Sequence, residues 1–459
     1  MRDQLRAPRD WTWSKVKHAA QFFTGWTPST GNSSFFEGDN LWANISDLGS
    51  RELSDTAKRI SDEAVRLSTI KQSPAGSVLF SFKLSIGQVS FAGRDMYTNE
   101  AIATFPPQPS FNARWAYWAF PVFIPQNAGE NIYGAKLLNQ ELIRAADLLL
   151  PPSDAQERIA NYLDDKTARI DALIAEKEQL VRSLQEYQYS YSSHLMTRGL
   201  DERVKTAPNS FPEIGDVPAH WTVTPLKFLG EVRSGVAKGK DLGDKDTITL
   251  PYLRVANVQD GYVDLSNVLD IEVSSTEATR YLLRKGDVLM NEGGDNDKLG
   301  RGAVWQGQIE PCIHQNHVFA VRLADPELAD WVSRFTSTHA ARTYFFLRSK
   351  QSTNLASINQ SNVRELPIPM PPDAERRAVM VELQRIAKST TDLIEHAVEH
   401  IARLREYRSS LISATVTGQL DVGQTTPMPA SDCKTAPQPK SLIPNPGLRP
   451  RLTNEVLES

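Results

Sequence analysis

Cysteine is almost missing: 459 residues contain two, Cys312 and Cys433, far apart and the second in a proline-rich tail. No disulfide framework or cysteine-rich zinc module can be drawn from them, and a reducing cytoplasm is the expected setting. Long apolar runs are missing too. The most apolar short stretch, Tyr117 to Pro125, is about half the length of a membrane span, and the opening MRDQLRAPRD lacks the apolar centre of a signal peptide. The expectation is a soluble, untargeted chain with no membrane partner. Nor is there a strong charge of either sign: 51 Lys and Arg stand against 55 Asp and Glu, a net of −4. That excludes a uniformly basic nucleic-acid coat and leaves a local basic face open. What is present is 40% hydrophobic and 23% charged residue content, in a chain long enough for two or three globular domains.

The chain repeats itself. Leu148 to Pro152 (LLLPP) is answered by Ile368 to Pro372 (IPMPP) at a shift of 220 places. The same shift sets Asn139-Gln140 on Asn359-Gln360, Leu173-Ile174 on Leu393-Ile394, Glu186-Tyr187 on Glu406-Tyr407, and Leu200-Asp201 on Leu420-Asp421. No gap is needed. Trp11-Thr12, Lys17 and Gly25 fall on Trp221-Thr222, Lys227 and Gly235 at a shift of 210, so the intervening regions differ by about ten residues.

Each copy ends in a long helical pattern. After Pro152, Ser153 with Gln156 reads as a capping box. Ile159, Leu163, Lys166, Ile170, Leu173, Lys177, Leu180, Leu184, Tyr187, Tyr191 and His194 then recur at steps of four and three, a heptad seam. The second copy reads Val379, Leu383, Ile386, Thr390, Leu393, Ala397, His400, Leu404, Tyr407, Leu411 and Ala414, with Asp373 as its cap. Gly199 and Gly418 are the stops. Roughly 44 residues at ~1.5 Å rise make each helix about 65 Å long. Two matched helices of one chain are natural partners, with Lys166, Lys177 and His400 as polar residues that fix register.

The regions ahead of the helices read differently. Ser77 to Phe82, Leu250 to Val255, Asp287 to Met290 and Val318 to Leu323 are β-like, and Pro326 to Arg348 is helical. The expected fold class is α+β: two mixed α/β domains separated by a pair of long antiparallel coiled-coil helices, in a pseudo-two-fold internal repeat. The expected division is 1–150 and 206–370 for the domains, 151–200 and 371–421 for the helices, and 422–459 for a disordered tail rich in Pro, Ser and Thr.

In this order of parts the chain resembles the specificity subunit of type I restriction-modification systems, from about residue 10 to 422. The resemblance lies in the helix openings LLLPPSDAQERIANYLDDKTARIDALIAEKE and LPIPMPPDAERRAVMVEL, the helix exits HLMTRGLD and ATVTGQLD, the domain openings WTWSKVKHAAQFFTGWTPST and HWTVTPLKFLGEVRSG, and KGDVLMNEGGD followed by HQNHVFAVR. It implies two target-recognition domains, each reading a few base pairs of double-stranded DNA, spaced by the helix pair over a gap of unread sequence. It also implies docking of two copies of a modification subunit. That methyltransferase would carry S-adenosylmethionine, and in the full enzyme motor-nuclease subunits would add ATP and Mg. No cofactor is expected on this chain. The alternative is a coiled-coil scaffold without sequence-specific DNA binding, which would need the seam but not two large, divergent domains with polar loops.

Catalytic signatures are lacking as well. There is no G-x-x-x-x-G-K-[ST] phosphate loop, no G-x-G-x-x-G after a strand and no Asn-Pro-Pro-aromatic run. His314 and His317 in HQNH suggest a metal, yet no nearby Cys or acidic residue completes a site, so a structural or DNA-facing role is expected. Asp295, Asp297 and Lys298 could suggest a nuclease centre, but Gly293-Gly294 and Asn296 make them read as a polar turn. No catalytic or metal-binding residue is assigned. The candidate DNA contacts are polar loops: Thr27, Ser29 and Thr30; Lys83 and Ser85; Lys238 and Lys240; Lys350, Gln351, Ser352, Thr353 and Asn354; with Arg254, Asn257, Arg301 and Asn316 beside them. Each could equally be a solvated loop or satisfy a turn. Candidate partner contacts on the exposed helix flanks are Arg158, Tyr162 and Arg376.

Overall fold

The computed structural model describes residues 5, 7–68, 70–130, 136–239, 246–294, 299–351 and 356–423. The chain divides into two compact units, Met1–Ala172 with Leu404–Ser459, and Leu173–Arg403. Helix and sheet are mixed in both.

In the first unit, Thr12–Lys15 pairs antiparallel with Asp147–Leu150, the strand that leads into the first long helix. A five-stranded sheet runs Phe23–Thr24, Ile102–Phe105, Val78–Ser81, Val89–Ala92, Glu52–Leu53. Val78–Ser81 and Ile102–Phe105 are buried at every position, which is why they read as continuous rather than alternating apolar runs. A second sheet sets Asn40–Ala43 between Lys58–Ile60, antiparallel, and Tyr97–Thr98, parallel. The stretch at Tyr117 lies in the helix Ala113–Phe123, started by Asn112, whose side chain accepts from the Arg114 and Trp115 amides.

The second unit repeats this plan. Thr222–Pro225 pairs with Pro367–Met370. A four-stranded sheet runs Gly230–Ser234, Val318–Leu323, Val288–Asn291, Gly302–Val304, and Thr247–Leu253 lies between antiparallel Leu269–Ser274 and parallel Ile313–His314. Register repeats as well as order: Val78 faces Phe105 as Val288 faces Val321, and Trp42 lies beside Tyr97 as Tyr252 lies beside Ile313. The expected helix over Pro326 to Arg348 is split into a 3-10 turn, Ala329–Thr336 and His339–Arg348, because Thr338 starts a new helix by accepting from the Ala341 amide.

The long helices are Ser153–Arg198, 46 residues, and Asp373–Val416, 44 residues. Both end at left-handed glycines, Gly199 (φ 76°) and Gly418 (φ 72°). The domain-opening tryptophans close those ends: a Cβ on Gly199 would meet the Trp221 ring at 3.0 Å, and one on Gly418 the Trp11 ring at 3.3 Å. Within the second unit Thr390 Oγ1 donates to Gln188 at 2.8 Å and Tyr191 OH to Glu382 at 3.5 Å; partner numbers fall as numbers rise, so these helix segments run antiparallel. Within the first unit Arg408 grips Asp171 with two bonds, at 2.8 and 3.1 Å.

Three expectations about the helices are corrected. Ser153 and Asp373 are the first helical residues rather than caps. Gln156 turns away to donate to the Pro151 carbonyl (2.9 Å) and accept from the Asn112 amide (2.7 Å). The seam holds at Ile159, Leu163, Ile170, Val379, Leu383, Ile386, Thr390, Ala397 and Leu411 but lies one residue over at other positions. Thr167, Ile174, Ile401 and Thr415 are buried, whereas Lys166, Leu173, Leu393, His400 and Tyr407 are exposed. Steps through residue 166 and through residue 167 both join Leu163 to Ile170. The second wins because the Thr167 hydroxyl is satisfied by the Leu163 carbonyl, whereas a lysine there would bury a charge.

The first domain is fixed to its stretch of helix by Asp164, which accepts from Arg51, from Arg114 and from Trp118 Nε1 (2.8 Å). Burial pushes its carboxyl up, but these donors outweigh burial and hold it below the usual range. The second copy has Gln384 in the matching place. It uses Arg376 instead, 3% exposed, with Nη1 donating to the Glu327 carbonyl at 3.1 Å and Nη2 to Asp373 at 3.0 Å.

Candidate nucleic-acid interface

Two glycines set the geometry. A Cβ on Gly25 would lie 1.8 Å from the Thr98 carbonyl oxygen, and one on Gly235 would lie 2.1 Å from that of His314. Only glycine permits these approaches, and they bring one loop onto another: Trp26 N donates to Thr98 O, and Val236 N to His314 O. A third loop joins by the bond Phe82 N to Ala101 O, matched by Glu292 N to His317 O.

In the first unit this gathers Thr27, Lys83 and Glu100. Thr27 donates to the Glu100 carboxylate. Burial raises that carboxyl, but the Thr27 bond and the Lys83 charge outweigh it and hold it below its ordinary value. Ser29, Thr30 and Ser85 are exposed on the same loops. A carboxylate among polar donors can accept from a cytosine amino group while Lys83 meets phosphate.

In the second unit Asn316 N donates to Val236 O at 2.9 Å and His317 pairs with Glu292 at 2.6 Å. Gly293 and Gly294 pair with Ser357 and Ala356, whose other neighbours are Lys350 and Gln351. Asn316, Lys350 and Gln351 are thereby brought together, with Lys238 exposed just beyond Val236. Arg301 lies half-buried beside Asn291, whose amide donates to its carbonyl. Lys240, Ser352, Thr353 and Asn354 lie outside the described residues, as do Asp295, Asp297, Lys298 and the tail beyond Gly423.

Two candidates are corrected. Asn257 is 2% exposed and builds a turn, accepting from the Arg254 amide and donating to the Asp264 and Asn267 carbonyls. Arg254 belongs to that turn, with Nη2 on the Asn267 carbonyl at 3.0 Å. Of the partner candidates, Arg158 is exposed and paired with Asp154, and Tyr162 is half-buried under Lys166. Arg376 is no flank residue: it is buried, for the reason given above. Glu100 and Glu292 are not legible as candidates in the sequence, because a carboxylate in a polar loop carries none of the donor chemistry expected beside DNA.

One histidine is exposed on the loop face and the other is structural. His317 pairs with Glu292, and His314 is buried with Nδ1 2.7 Å from the Val318 carbonyl oxygen. Among the described residues no three His, Cys, Asp or Glu side chains stand close enough to hold a metal. Burial pushes the His314 pKa down to about 4. The unfolded chain therefore binds a proton near pH 6.5 that the folded chain refuses, so stability present above pH 6.5 is lost as pH falls towards 4. The loss is about 3 kcal/mol. His314→Thr, the residue at the matched Thr98, should flatten the stability–pH curve over that window in denaturant titrations. A curve unchanged in slope would assign the acid sensitivity elsewhere.

No described helix is long and apolar enough to cross a membrane. Residues 8–182 match the family described as the Type I restriction modification DNA specificity domain. The chain is 23% identical over 300 residues to the EcoKI specificity subunit of Escherichia coli K12, covering 64% of this chain and 61% of that one. It is 21% identical over 433 residues to the MjaIX specificity subunit of Methanocaldococcus jannaschii, covering 91% and 95%. A chain solved in work on complex assembly and conformational transition of the type I R-M system shares the fold at TM-score 0.64 and 13% identity, over 90% of this chain and 100% of that one. Duplicated in strand order and register, the chain matches the Type I restriction modification DNA specificity domain across its first copy and resembles specificity subunits over most of its length.

Proposed function

We propose that this chain is the DNA-recognition subunit of a type I restriction-modification complex and acts in the cytoplasm without catalysing the chemistry itself. Residues 1–150 and 206–370 are the two target-recognition domains. The helices 151–200 and 371–421 form an antiparallel coiled-coil spacer between them, related by a pseudo-two-fold repeat. The observation that carries the reading is the pair of matched loop faces: one scaffold presents Thr27, Lys83 and Glu100 in one copy and Lys238, Glu292, Asn316 and Lys350 in the other. Equal scaffolds with unequal side chains suit two different half-sites.

Two modification subunits dock on the helices, and motor-nuclease subunits join in the full enzyme; S-adenosylmethionine, ATP and Mg belong to those partners. Support for docking comes from exposed apolar residues at heptad spacing on each helix, Leu173 and Leu180 on one, Leu393 and Tyr407 on the other. Co-expression with a methyltransferase subunit, followed by sequencing of modified adenines in the host genome, should reveal a bipartite, asymmetric motif. A palindromic motif or none would overturn the proposal. In binding titrations, Lys238→Ala with Lys240→Ala should weaken DNA binding and lower the log–log salt slope by roughly two; an unchanged slope would remove both from the interface.

A further inference from the structure

The turn after Val78–Ser81 holds a residue that the scaffold does not explain. Three residues beyond that strand lies Leu84; three beyond Val288–Asn291 lies Gly294. The strands occupy the same register in their sheets and lead into the same cross-loop hydrogen bond. At this position both backbones leave the region that side chains prefer, with φ 147° at Gly294 and 59° at Leu84. Among the described residues Leu84 is the only non-glycine with positive φ. A bulky residue there is a true outlier.

Exposure adds to the oddity. The Leu84 side chain is 94% exposed, so no core contact offsets its backbone conformation. The turn is nonetheless tied down: Ser81 Oγ donates to the Lys83 carbonyl at 3.1 Å, Gly87 N to the Ser81 carbonyl at 2.9 Å, and Gln88 N to the Ser85 carbonyl at 3.3 Å. An apolar side chain thus projects from a held turn, between Ser85 and Lys83, whose charge acts on Glu100. Strain of this kind collects where a surface meets a ligand. On DNA the apolar surfaces within reach of such a tip are the thymine methyl group and the faces of the bases.

Resting on the DNA-reading proposal above, we infer that Leu84 makes an apolar contact with one base of the half-site read by the first domain. It sets the identity of that base by van der Waals contact rather than by hydrogen bonding. The second domain, with Gly294 in the same place, makes no such contact.

The test is Leu84→Gly, the residue of the matched position, which relieves the backbone and puts folding at no risk. Leu84→Met, which keeps the apolar reach, is the rescue. In the complex with the methyltransferase subunit, Leu84→Gly should bind the wild-type motif roughly tenfold more weakly and relax one base of one half-site in the genomic methylation pattern. Melting temperature should not fall, the salt slope should not change, and Leu84→Met should stay near wild type. Uracil in place of thymine at the relaxed position then separates the two apolar surfaces. If it reproduces the glycine defect, the methyl group is the contact. If it has no effect and an adjacent 2-aminopurine brightens on binding wild type but not Leu84→Gly, the side chain enters the base stack. Leu84→Gly with wild-type affinity and motif overturns the inference alone, whereas a wild-type complex with no bipartite motif removes the DNA-reading proposal and this inference together.

Discussion

Duplicating one heptad in each long helix, Ile170–Glu176 in the first and the matched Thr390–His396 in the second, should abolish modification of the original target and create a new one with a wider gap. A seven-residue insertion preserves the stripe of Thr167, Ile170 and Ile174 on the first helix and of Thr390, Ala397 and Ile401 on the second, so pairing survives. Seven residues at ~1.5 Å add about 10 Å of helix. At 3.4 Å per base pair that corresponds to about three more base pairs.

Rise is not the whole account. Each added base pair also turns the second half-site by roughly 34°, since a duplex turn takes about 10.5 base pairs, whereas a complete heptad leaves the facing surface of a supercoiled helix almost unrotated. The new optimum is therefore a compromise between reach and rotation, and the gap should grow by about one to three base pairs with both half-sites unaltered. Genomic methylation sequencing reads all of this at once. A lengthened chain that still assembles with its methyltransferase and methylates only the original gap would show that the helices do not set the spacing.

Much of this architecture was legible because duplication gives one sequence two chances to show the same pattern. The 210 shift that aligns Gly25 with Gly235 also aligns Val78 with Val288, and the 220 shift aligns Asn139 with Asn359; their strand partners Phe105 and Val321 stand 216 apart, because the loops between differ in length. Phase within the helices was legible only in part. Leu173-Ile174 and Leu393-Ile394 offer adjacent apolar residues, and a four-three pattern fits either; burial of Ile174 and half-burial of Ile394 is decided by packing around Thr167 and Thr390. Arg376 illustrates a different limit. Its charge suggested a surface, yet it satisfies the Glu327 carbonyl where the first copy uses Gln156 to satisfy that of Pro151. The candidate interface was half visible. Thr27, Lys83, Asn316 and Lys350 drew notice as polar loop residues, whereas Glu100 and Leu84 had the wrong chemistry for a search built on donors. The alignment of Leu84 with Gly294 was nevertheless present in the two strand–turn segments.

Asp287→Ala should be the most damaging single substitution in the second domain. The Asp287 side chain is 2% exposed and holds two arginines: Arg322 through Nε and Nη2 at 2.8 and 2.6 Å, and Arg233 through Nη2 at 3.3 Å. It also accepts from the Arg284 amide at 2.8 Å. Burial and the neighbouring Arg322 charge already push the Arg233 pKa below its usual value. Without the carboxylate two half-buried guanidinium groups would repel each other with no counter-charge, a loss of about 3–5 kcal/mol, or on the order of 10 °C in melting temperature. Asp287→Asn keeps the acceptor for the Arg284 amide but not the charge, and should fall between. The first copy has Ser77 in the matched place, bonded to the Pro74 carbonyl at 2.6 Å, so the damage should be local. Hydrogen exchange should show lost protection in Gly230–Ser234 and Val318–Leu323 with Val78–Ser81 and Ile102–Phe105 unaffected. Asp287 opens the strand that leads to Glu292, so DNA affinity should fall with protection in the second domain. A variant as stable as wild type would mean that water or a shifted side chain replaces the carboxylate, and that the ion cluster contributes little.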